Sequence, residues 1–181
     1  MNSRTHRSRN CLSFKTINTM ETKELVLNKL KEKFPEINFE TSDFRDQLCV
    51  KFDKKNIQAV CKFLKEDPEL EFLHCADVTA IDWAKRKDRF TVVYNIFSLK
   101  NKFRLRLKAD VDESDCTIDS VTSIWKTANW QERETYDMYG IKFNNHPDPR
   151  RMYMPEEFEY HPLRKDFPLM GIPGSLPLPK K

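Results

Sequence analysis

Four charged side chains that could do chemistry lie within six positions of one another: Glu132, Arg133, Glu134 and Asp137. On a helix, Arg133 and Asp137 are at i and i+4 and can form an ion pair, with Glu134 one step round from Arg133. Such a cluster is also compatible with general acid–base catalysis. However, the sequence places no catalytic nucleophile nearby, and a chain with three glycines has no glycine-rich phosphate loop. We therefore favour ion pairing over catalysis.

Metal binding is a second kind of chemistry to consider. His146 and His161 are fifteen residues apart in a proline-rich stretch, which makes them weak ligand candidates. An iron–sulfur cluster needs about four convergent thiolates. The five cysteines are odd in number, widely spaced and without a CxxC pair: Cys11, Cys49, Cys61, Cys75 and Cys116. We expect reduced thiols, with Cys49, Cys61 and Cys75 acting as small buried hydrophobic residues.

The net charge of +4 does not indicate a nucleic-acid-binding protein. Residues 1–20 contain four basic side chains and no acidic one, so the rest of the chain is neutral overall. This basic segment is either an organellar transit peptide or an upstream extension before a start at Met20. We exclude residues 1–20 from the fold as a flexible basic extension.

The elements that must position these residues follow from hydrophobic periodicity. Residues 22–34 and 54–66 form amphipathic helices, the second capped by Asp53. Strand patterns occur near Ile37–Phe39 and Leu48–Phe52, and then at Phe72–Trp83, Phe90–Phe97 and 102–108. A short helix is predicted at Ser120–Lys126 and a stronger one at 130–139, with an Asn129–Glu132 capping box and Gly140 ending it. Residues 21–143 thus predict an α+β domain, with a mainly antiparallel sheet and helices on one face.

The strand at 102–108 has one apolar and one strongly basic face. Arg104, Arg106 and Lys108 alternate with apolar residues along it. We expect this basic face to be solvated protection of a sheet edge. The remaining interpretation is a contact surface for an acidic partner.

Residues 144–181 differ abruptly from the domain. They contain eight of the ten prolines together with many aromatic and methionine residues. Proline density excludes a regular helix or central strand, and a disordered tail would be poor in aromatics. We predict a long extended arm laid over another subunit, in which Arg150, Arg151, Arg164 and Lys165 provide interface ion pairs and backbone bracing. The alternative is an arm that packs back on its own domain.

The stretch from Trp130 to Gly171 carries a family resemblance. It reads WQERETYDMYGIKFNNHPDPRRMYMPEEFEYHPLRKDFPLMG and closely resembles the signature of the C subunit of NADH:quinone oxidoreductase (respiratory complex I), the thirty-kilodalton subunit family. The resemblance covers residues 72–171 well and 21–71 by pattern. Asn145 and Tyr160 stand where members of the family often have glycine.

The resemblance implies a non-catalytic subunit in the peripheral arm of a proton-translocating NADH:quinone oxidoreductase, where it braces the quinone module. It implies that this chain binds no cofactor, and that FMN, iron–sulfur clusters, NADH and quinone are used in other subunits. The expected partners are the large quinone-site D subunit and the small cluster-bearing B subunit, with no nucleic acid and with membrane contact only through partners. The expected location is peripheral, on the cytoplasmic face of the bacterial inner membrane or the matrix side of the mitochondrial one.

The residues of the signature are the expected partner interface. They are Glu132, Arg133, Glu134, Asp137, His146, Asp148, Arg150, Arg151, Pro162, Leu163, Arg164, Lys165 and Asp166. An equivalent subunit of a related membrane-bound hydrogenase or dehydrogenase complex is the alternative within the superfamily. An independent enzyme that uses a cysteine and a nucleic-acid-binding module are the alternatives outside it.

Overall fold

The structure, a computed structural model, describes residues 19–172. In chain order its elements are α1 (Thr19–Lys33), β1 (Glu40–Phe44), β2 (Gln47–Lys51), a 3-10 turn (Lys54–Asn56), α2 (Ile57–Glu66), β3 (His74–Asp82), β4 (Phe90–Ser98), β5 (Phe103–Val111), β6 (Thr117–Asp119), α3 (Ala128–Tyr139) and β7 (Lys142–Asn144). The predicted flexible extension, residues 1–20, lies mostly outside the described residues. The predicted α+β class is confirmed.

The main sheet has five strands in the order β1-β2-β5-β4-β3. β3, β4 and β5 form an antiparallel meander, and β1 and β2 form a hairpin that adds to the free edge of β5. β2 runs parallel to β5, with Leu48 opposite Leu105. The sheet is therefore mixed, with antiparallel pairing everywhere except at this one junction.

Strand alternation places the apolar core on one face of the sheet. Leu105 and Leu107 of β5 and Tyr94 of β4 point to this face, where α1, α2 and α3 pack against them in a single cluster. The predicted α2 positions Ile57, Val60, Cys61 and Leu64 are fully buried, and so are Cys49 and Cys75 to within two per cent. The prediction that these cysteines are buried hydrophobic residues is confirmed.

Several local predictions are wrong. Residues 120–126 form turns rather than a helix, in which Val121 O accepts from Ile124 N and Trp125 N. The capping box is also wrong, since α3 begins at Ala128 and Asn129 lies inside it. Strands β6 and β7, which pair in parallel, were not predicted because each has only three residues. By contrast, Gly140 ends α3 with φ 76°, as predicted.

The basic strand is not at a sheet edge. β5 is the third of five strands, hydrogen-bonded to β2 on one side and β4 on the other. The prediction that Arg104, Arg106 and Lys108 protect an edge is therefore wrong. These side chains lie on the face of the sheet opposite the helices, because Phe103, Leu105 and Leu107 between them point into the core.

Candidate functional site: a clamp that holds the arm

The arm follows β7 and contains neither helix nor strand from Asn145 to Ile172, as proline density predicts. It lies against α3, whose Arg133 and Asp137 are almost completely buried. We call these two side chains, with the arm residues 148–154 that they bind, the clamp. The i,i+4 spacing predicts that Arg133 and Asp137 pair with each other, but both bind the arm instead.

Asp137 is the acceptor at the centre of the clamp. Its Oδ2 atom accepts the backbone N–H groups of Met152, Tyr153 and Met154 at 3.1, 2.7 and 3.0 Å. Its Oδ1 atom accepts from Arg151 Nη1 at 2.9 Å, and the carboxylate is fully buried. A buried carboxylate is stable only when its lone pairs are satisfied, and here one side chain satisfies four donors.

Arg133 binds the arm through the arm's carbonyl groups. Its Nε atom donates to Arg150 O at 2.9 Å and its Nη2 atom to Arg151 O at 3.1 Å. Its Nη1 atom lies 3.4 Å from Asp148 Oδ2, and its guanidinium stacks over Trp130 at 4.8 Å from the ring centre. The planar fork of the guanidinium thus fixes the course of the arm backbone rather than binding a ligand.

The end of α3 is capped by the arm further along. The last carbonyl groups of a helix have no partner within it. Here Asp137 O contacts His161 Nδ1 at 2.9 Å, Met138 O accepts from Leu163 N at 3.1 Å, and Tyr139 O accepts from Arg164 Nε at 2.6 Å. The cation of Arg164 also suits the negative end of the helix dipole.

Gly140 makes this cap possible. Its φ is 76°, and a Cβ atom there would lie 2.6 Å from both His161 and Arg164. Only glycine combines this backbone conformation with the close approach of the arm. Asn145 also has positive φ, which asparagine tolerates, whereas Tyr160 is not among the described residues with positive φ.

A third attachment joins the arm to the sheet. Arg89 pairs with Asp82 through two hydrogen bonds at 3.0 and 2.9 Å, and both side chains are buried. Lys165 N donates to Asp82 at 2.8 Å, and Asp166 lies 3.1 Å from Arg89. Burial disfavours the charged carboxylate of Asp82, but the hydrogen bonds from Arg89 and the backbone outweigh it and lower its pKa to about 2.

Glu132 lies on the same helix in a different environment. It is fully buried, and its carboxyl group accepts from Ser120 Oγ at 2.6 Å and Val121 N at 2.8 Å. Burial raises the pKa of Glu132 to about 7, more than these hydrogen bonds lower it. His146 Nε2 lies 3.8 Å away and contacts Asn129 O at 3.1 Å, and its Nδ1 atom accepts from Asp148 N. Glu132 therefore ties the turn after β6 to α3, and His146 ties the start of the arm to the same helix.

The arm also has a small aromatic cluster of its own. Phe158 is buried and contacts Tyr160 and Phe167 with ring centres 5.6 and 6.2 Å apart. Arg151 lies 6.0 Å from the centre of the Phe158 ring. This cluster fixes the loop between the clamp and the helix cap.

The structure brings most of the predicted interface residues together. Nine of the thirteen meet on or beside α3 or at its end: Glu132, Arg133, Asp137, His146, Asp148, Arg150, Arg151, Leu163 and Arg164. Lys165 and Asp166 contact Asp82 and Arg89, where the arm joins the sheet. Glu134 is exposed and Pro162 is half-buried. Whether these residues contact another subunit stays a prediction, since the contacts they make in the structure are within the chain. Sequence analysis missed Asp82 and Arg89; opposite charges on either side of the connection between the predicted strands Phe72–Trp83 and Phe90–Phe97 were a signal for them.

Neither a metal centre nor a membrane span accompanies the clamp in the described part of the chain. From residue 19 to residue 172, no three His, Cys, Asp or Glu side chains are grouped so that they could hold a metal ion. No helix in that range is both long enough and apolar enough to cross a membrane.

The fold and the clamp together define a class: an α+β domain whose last helix binds an extended proline-rich segment through buried charges. Comparison with known proteins identifies the family. A family model described as the 30 kDa subunit of respiratory-chain NADH dehydrogenase matches residues 50–173. The chain belongs to this family.

Curated relatives agree with this assignment. The chain is 53% identical over 143 residues to the C subunit of the NADH-quinone oxidoreductase of Geotalea uraniireducens, a match that covers 79% of this chain and 86% of the relative. It is 49% identical to the protein of the same name from Geobacter sulfurreducens, over 79% of this chain and 88% of the relative.

Solved structures share the fold. A trypsin-resistant fragment of Nqo5 matches with a TM-score of 0.57 and 29% identity, over 70% of this chain and 98% of the fragment. A chain of the archaeal membrane-bound sulfane sulfur reductase complex matches with a TM-score of 0.66 and 22% identity, over 82% of this chain and 87% of that chain. The second likeness concerns the fold alone.

Proposed function

We propose that this chain is a non-catalytic subunit of the peripheral arm of a proton-translocating NADH:quinone oxidoreductase, and that it braces the quinone module. In this role the chain binds no FMN, iron–sulfur cluster, NADH or quinone itself. The names of the curated relatives support this role over that of a hydrogenase-type relative. The partners proposed are the large quinone-site subunit and the small cluster-bearing subunit, and the membrane is reached only through partners, on the cytoplasmic or matrix side.

The observation that carries the proposal is a row of exposed apolar side chains on a firmly held arm. They are Tyr153, Tyr160, Leu163, Leu169 and Met170, with Trp130 beside the clamp, and each is at least 42% exposed. Exposed apolar groups gathered on one segment are typical of protein interfaces. The clamp, the contacts at the end of α3 and the contacts with Asp82 and Arg89 hold the arm at several points as far as Asp166, so docking to a partner orders few additional residues.

The contacts that the buried charges make in the clamp fit a bracing role better than a catalytic one. Asp137 and Arg133 have their hydrogen-bonding atoms occupied by arm backbone and side-chain groups. A general acid or base needs a free position within hydrogen-bonding reach of a substrate. Charges that are fully used in shaping an arm are suited to presenting a surface to another subunit.

A test uses a deletion strain complemented with variants of the whole chain. Tyr153→Ser with Leu163→Ser removes two exposed apolar side chains from the arm, and Leu99→Ser is the control, since Leu99 is at least as exposed on the turn between β4 and β5. We expect the arm variant to reduce assembled complex on a native gel and NADH:quinone activity in parallel, and the control to retain both. A wild-type chain that does not co-purify with an NADH dehydrogenase would contradict the proposal.

A further inference from the structure

The face of the main sheet opposite the helices carries a column of cations without ionic partners. Arg104, Arg106 and Lys108 project from alternate positions of β5, about 7 Å apart along the strand. Other cations held against the domain, such as Lys23, Lys51 and Arg89, pair with carboxylates. Within residues 19–172, none of the three β5 cations forms an ion pair.

The cations are held in place by neutral groups. Arg106 donates to Asn95 Oδ1 at 3.0 Å and to Gln47 Oε1 at 2.9 Å, and Arg104 lies 5.9 Å from the ring centre of Phe97. Amides and an aromatic ring orient a guanidinium without neutralising its charge. The two arginines of the column are therefore ordered in advance and keep their positive charge.

The carboxylates of the same face do not neutralise the column. Asp110 pairs with Lys51 at 2.7 Å and accepts from Thr91, and Glu40 lies 3.5 Å from Lys51. Asp77 lies on β3, and its Oδ2 atom accepts from Asn95 Nδ2 at 3.3 Å, so the Asn95 amide separates this carboxylate from Arg106 and the two form no ion pair. A cleft of about 410 Å³ opens beside the column, between Arg104, Arg106 and Asp77.

We propose that this β5 column docks an acidic segment of a neighbouring protein subunit, with carboxylates spaced to meet Arg104, Arg106 and Lys108. The charge pattern favours a protein over a nucleic acid or a lipid surface. Asp77 and Glu40 flank the column and would repel a continuous run of phosphates, whereas a folded acidic segment places its carboxylates only where the cations are. The inference rests on the proposed function, because it assigns a second contact to the same subunit.

The first experiment is chemical cross-linking in the assembled complex. A carbodiimide joins an amine to a carboxylate that lies in contact with it. We expect Lys108 to couple to an aspartate or glutamate of another subunit, and mass spectrometry maps the coupled pair. In the Arg104→Lys variant, we expect the new lysine at position 104 to couple to another subunit as well. Lys62, which is exposed on α2 on the helix side of the sheet, is the control and should stay uncoupled.

The second experiment reverses the charge of two residues of the β5 column. R104E with K108E should reduce assembled complex about tenfold or more at low ionic strength, since like charges in contact strongly disfavour association. K62E with K126E changes the same number of charges on exposed helix-side and turn positions and should assemble like the wild type. Thermal unfolding of each purified variant checks the fold. If the reversed pair unfolds, R104Q with K108Q removes the charges without reversing them and should still lower assembly.

The outcomes separate this inference from the proposed function. If the wild-type chain co-purifies with the complex but Lys108 stays freely reactive and the reversed pair assembles normally, the docking inference is wrong and the subunit role stands. If the wild-type chain does not co-purify, both fail. Protection of Lys108 in the isolated chain by anionic phospholipid vesicles or by a single-stranded oligonucleotide would also overturn the acidic-segment proposal.

Discussion

The sheet with its helices and the arm are stabilised in different ways. The core cluster consists of apolar side chains that all lie at or before Phe143. The arm is held mainly by directional hydrogen bonds to a few buried charged groups, above all Asp137 and Arg133. Dispersed apolar contacts tolerate the loss of one methyl group, whereas removing one partner of a buried charge pair is strongly destabilising. Stability is thus spread out in one region and concentrated in the other.

The largest effect is expected from Asp137→Ala. It leaves three backbone N–H groups and Arg151 without their acceptor, and we expect the free energy of unfolding to fall by about 3–5 kcal/mol. Urea unfolding measures this loss, and amide hydrogen exchange at residues 152–154 shows whether the arm opens first. Ile57→Val in the core should cost only about 0.5–1.5 kcal/mol.

Glu134→Ala is the matched control on the same helix. Glu134 belongs to the same signature but is exposed, so its removal should change the free energy of unfolding by less than about 0.5 kcal/mol. If Asp137→Ala and Glu134→Ala lower the free energy of unfolding equally, the buried charges of the clamp contribute no more to stability than an exposed charge on the same helix.

The second prediction concerns pH and Glu132. The pKa of Glu132 is raised by burial to about 7 in the folded chain, against roughly 4.3 in an unfolded one. Between these values the folded state binds the extra proton, so the contribution of this group to stability is full below about pH 4 and declines as pH rises through 7. The total is on the order of 3 kcal/mol. Glu132→Gln, which keeps the shape of the carboxyl group without its charge, should remove this decline.

The measurement is urea unfolding of the wild type and of Glu132→Gln at several pH values between about 4 and 8. The difference between the two free energies reports on Glu132 and on its coupling to His146, whose Nε2 atom lies 3.8 Å away, and removes the contribution of distant titrating groups. Glu134→Gln should follow the wild type, since Glu134 is exposed. Parallel curves for the wild type and Glu132→Gln would mean that folding does not raise the pKa of Glu132.

The third prediction tests the close approach at the end of α3. Gly140→Ala imposes a positive φ on alanine and places a Cβ atom 2.6 Å from His161 and Arg164. Gly171→Ala imposes nearly the same φ of 72°, but nothing lies within 4 Å of its Cβ atom. The backbone strain alone costs about 1–2 kcal/mol, and we expect the loss for Gly140→Ala to exceed that for Gly171→Ala by about 1 kcal/mol.

Thermal unfolding of both variants gives the difference, and hydrogen exchange at Leu163 N, which donates to Met138 O, reports on the cap itself. Loss of protection at Leu163 only in Gly140→Ala is expected. Similar stability of the two variants would indicate that the arm moves aside at little cost.

The same contrast explains what could be predicted from the sequence. Apolar periodicity is a local signal, so α2 and its four core positions, the central strands and the end of α3 at Gly140 were predicted closely. The parallel pairing of β2 with β5 could not be predicted from local patterns, because it joins strands that are far apart in the chain. Strands β6 and β7 were missed because three residues give no period.

At the site, residues singled out in the sequence form contacts, but with partners other than those expected. Arg133 and Asp137 were expected to pair with each other by i,i+4 spacing, and Glu132 was expected to cap α3 with Asn129. Local rules fail here because the competing partners come from distant segments: the arm for the first two, and Ser120 and Val121 for Glu132. The resemblance to the family signature drew attention to these residues without indicating what each one contacts.

The smallest effect is expected from Arg150→Ala, and it completes the comparison because Arg150 and Arg164 are both arginines of the signature that lie on the arm. Arg150 is 70% exposed and pairs with Asp148, which is itself accessible, so solvent screens the pair and its removal should leave the free energy of unfolding almost unchanged. Arg164→Ala should cost more, about 1–2 kcal/mol, because it removes a charged donor from the Tyr139 carbonyl at the end of α3. Thermal unfolding of each purified variant, together with the amount of assembled complex on a native gel, separates the two roles. We expect Arg150→Ala to weaken assembly with no change in melting temperature, whereas Arg164→Ala lowers both. Should Arg150→Ala unfold as early as Arg164→Ala, the arm would depend on its exposed charges as much as on its buried ones, and the distinction between exposed and buried attachments of the arm would not hold.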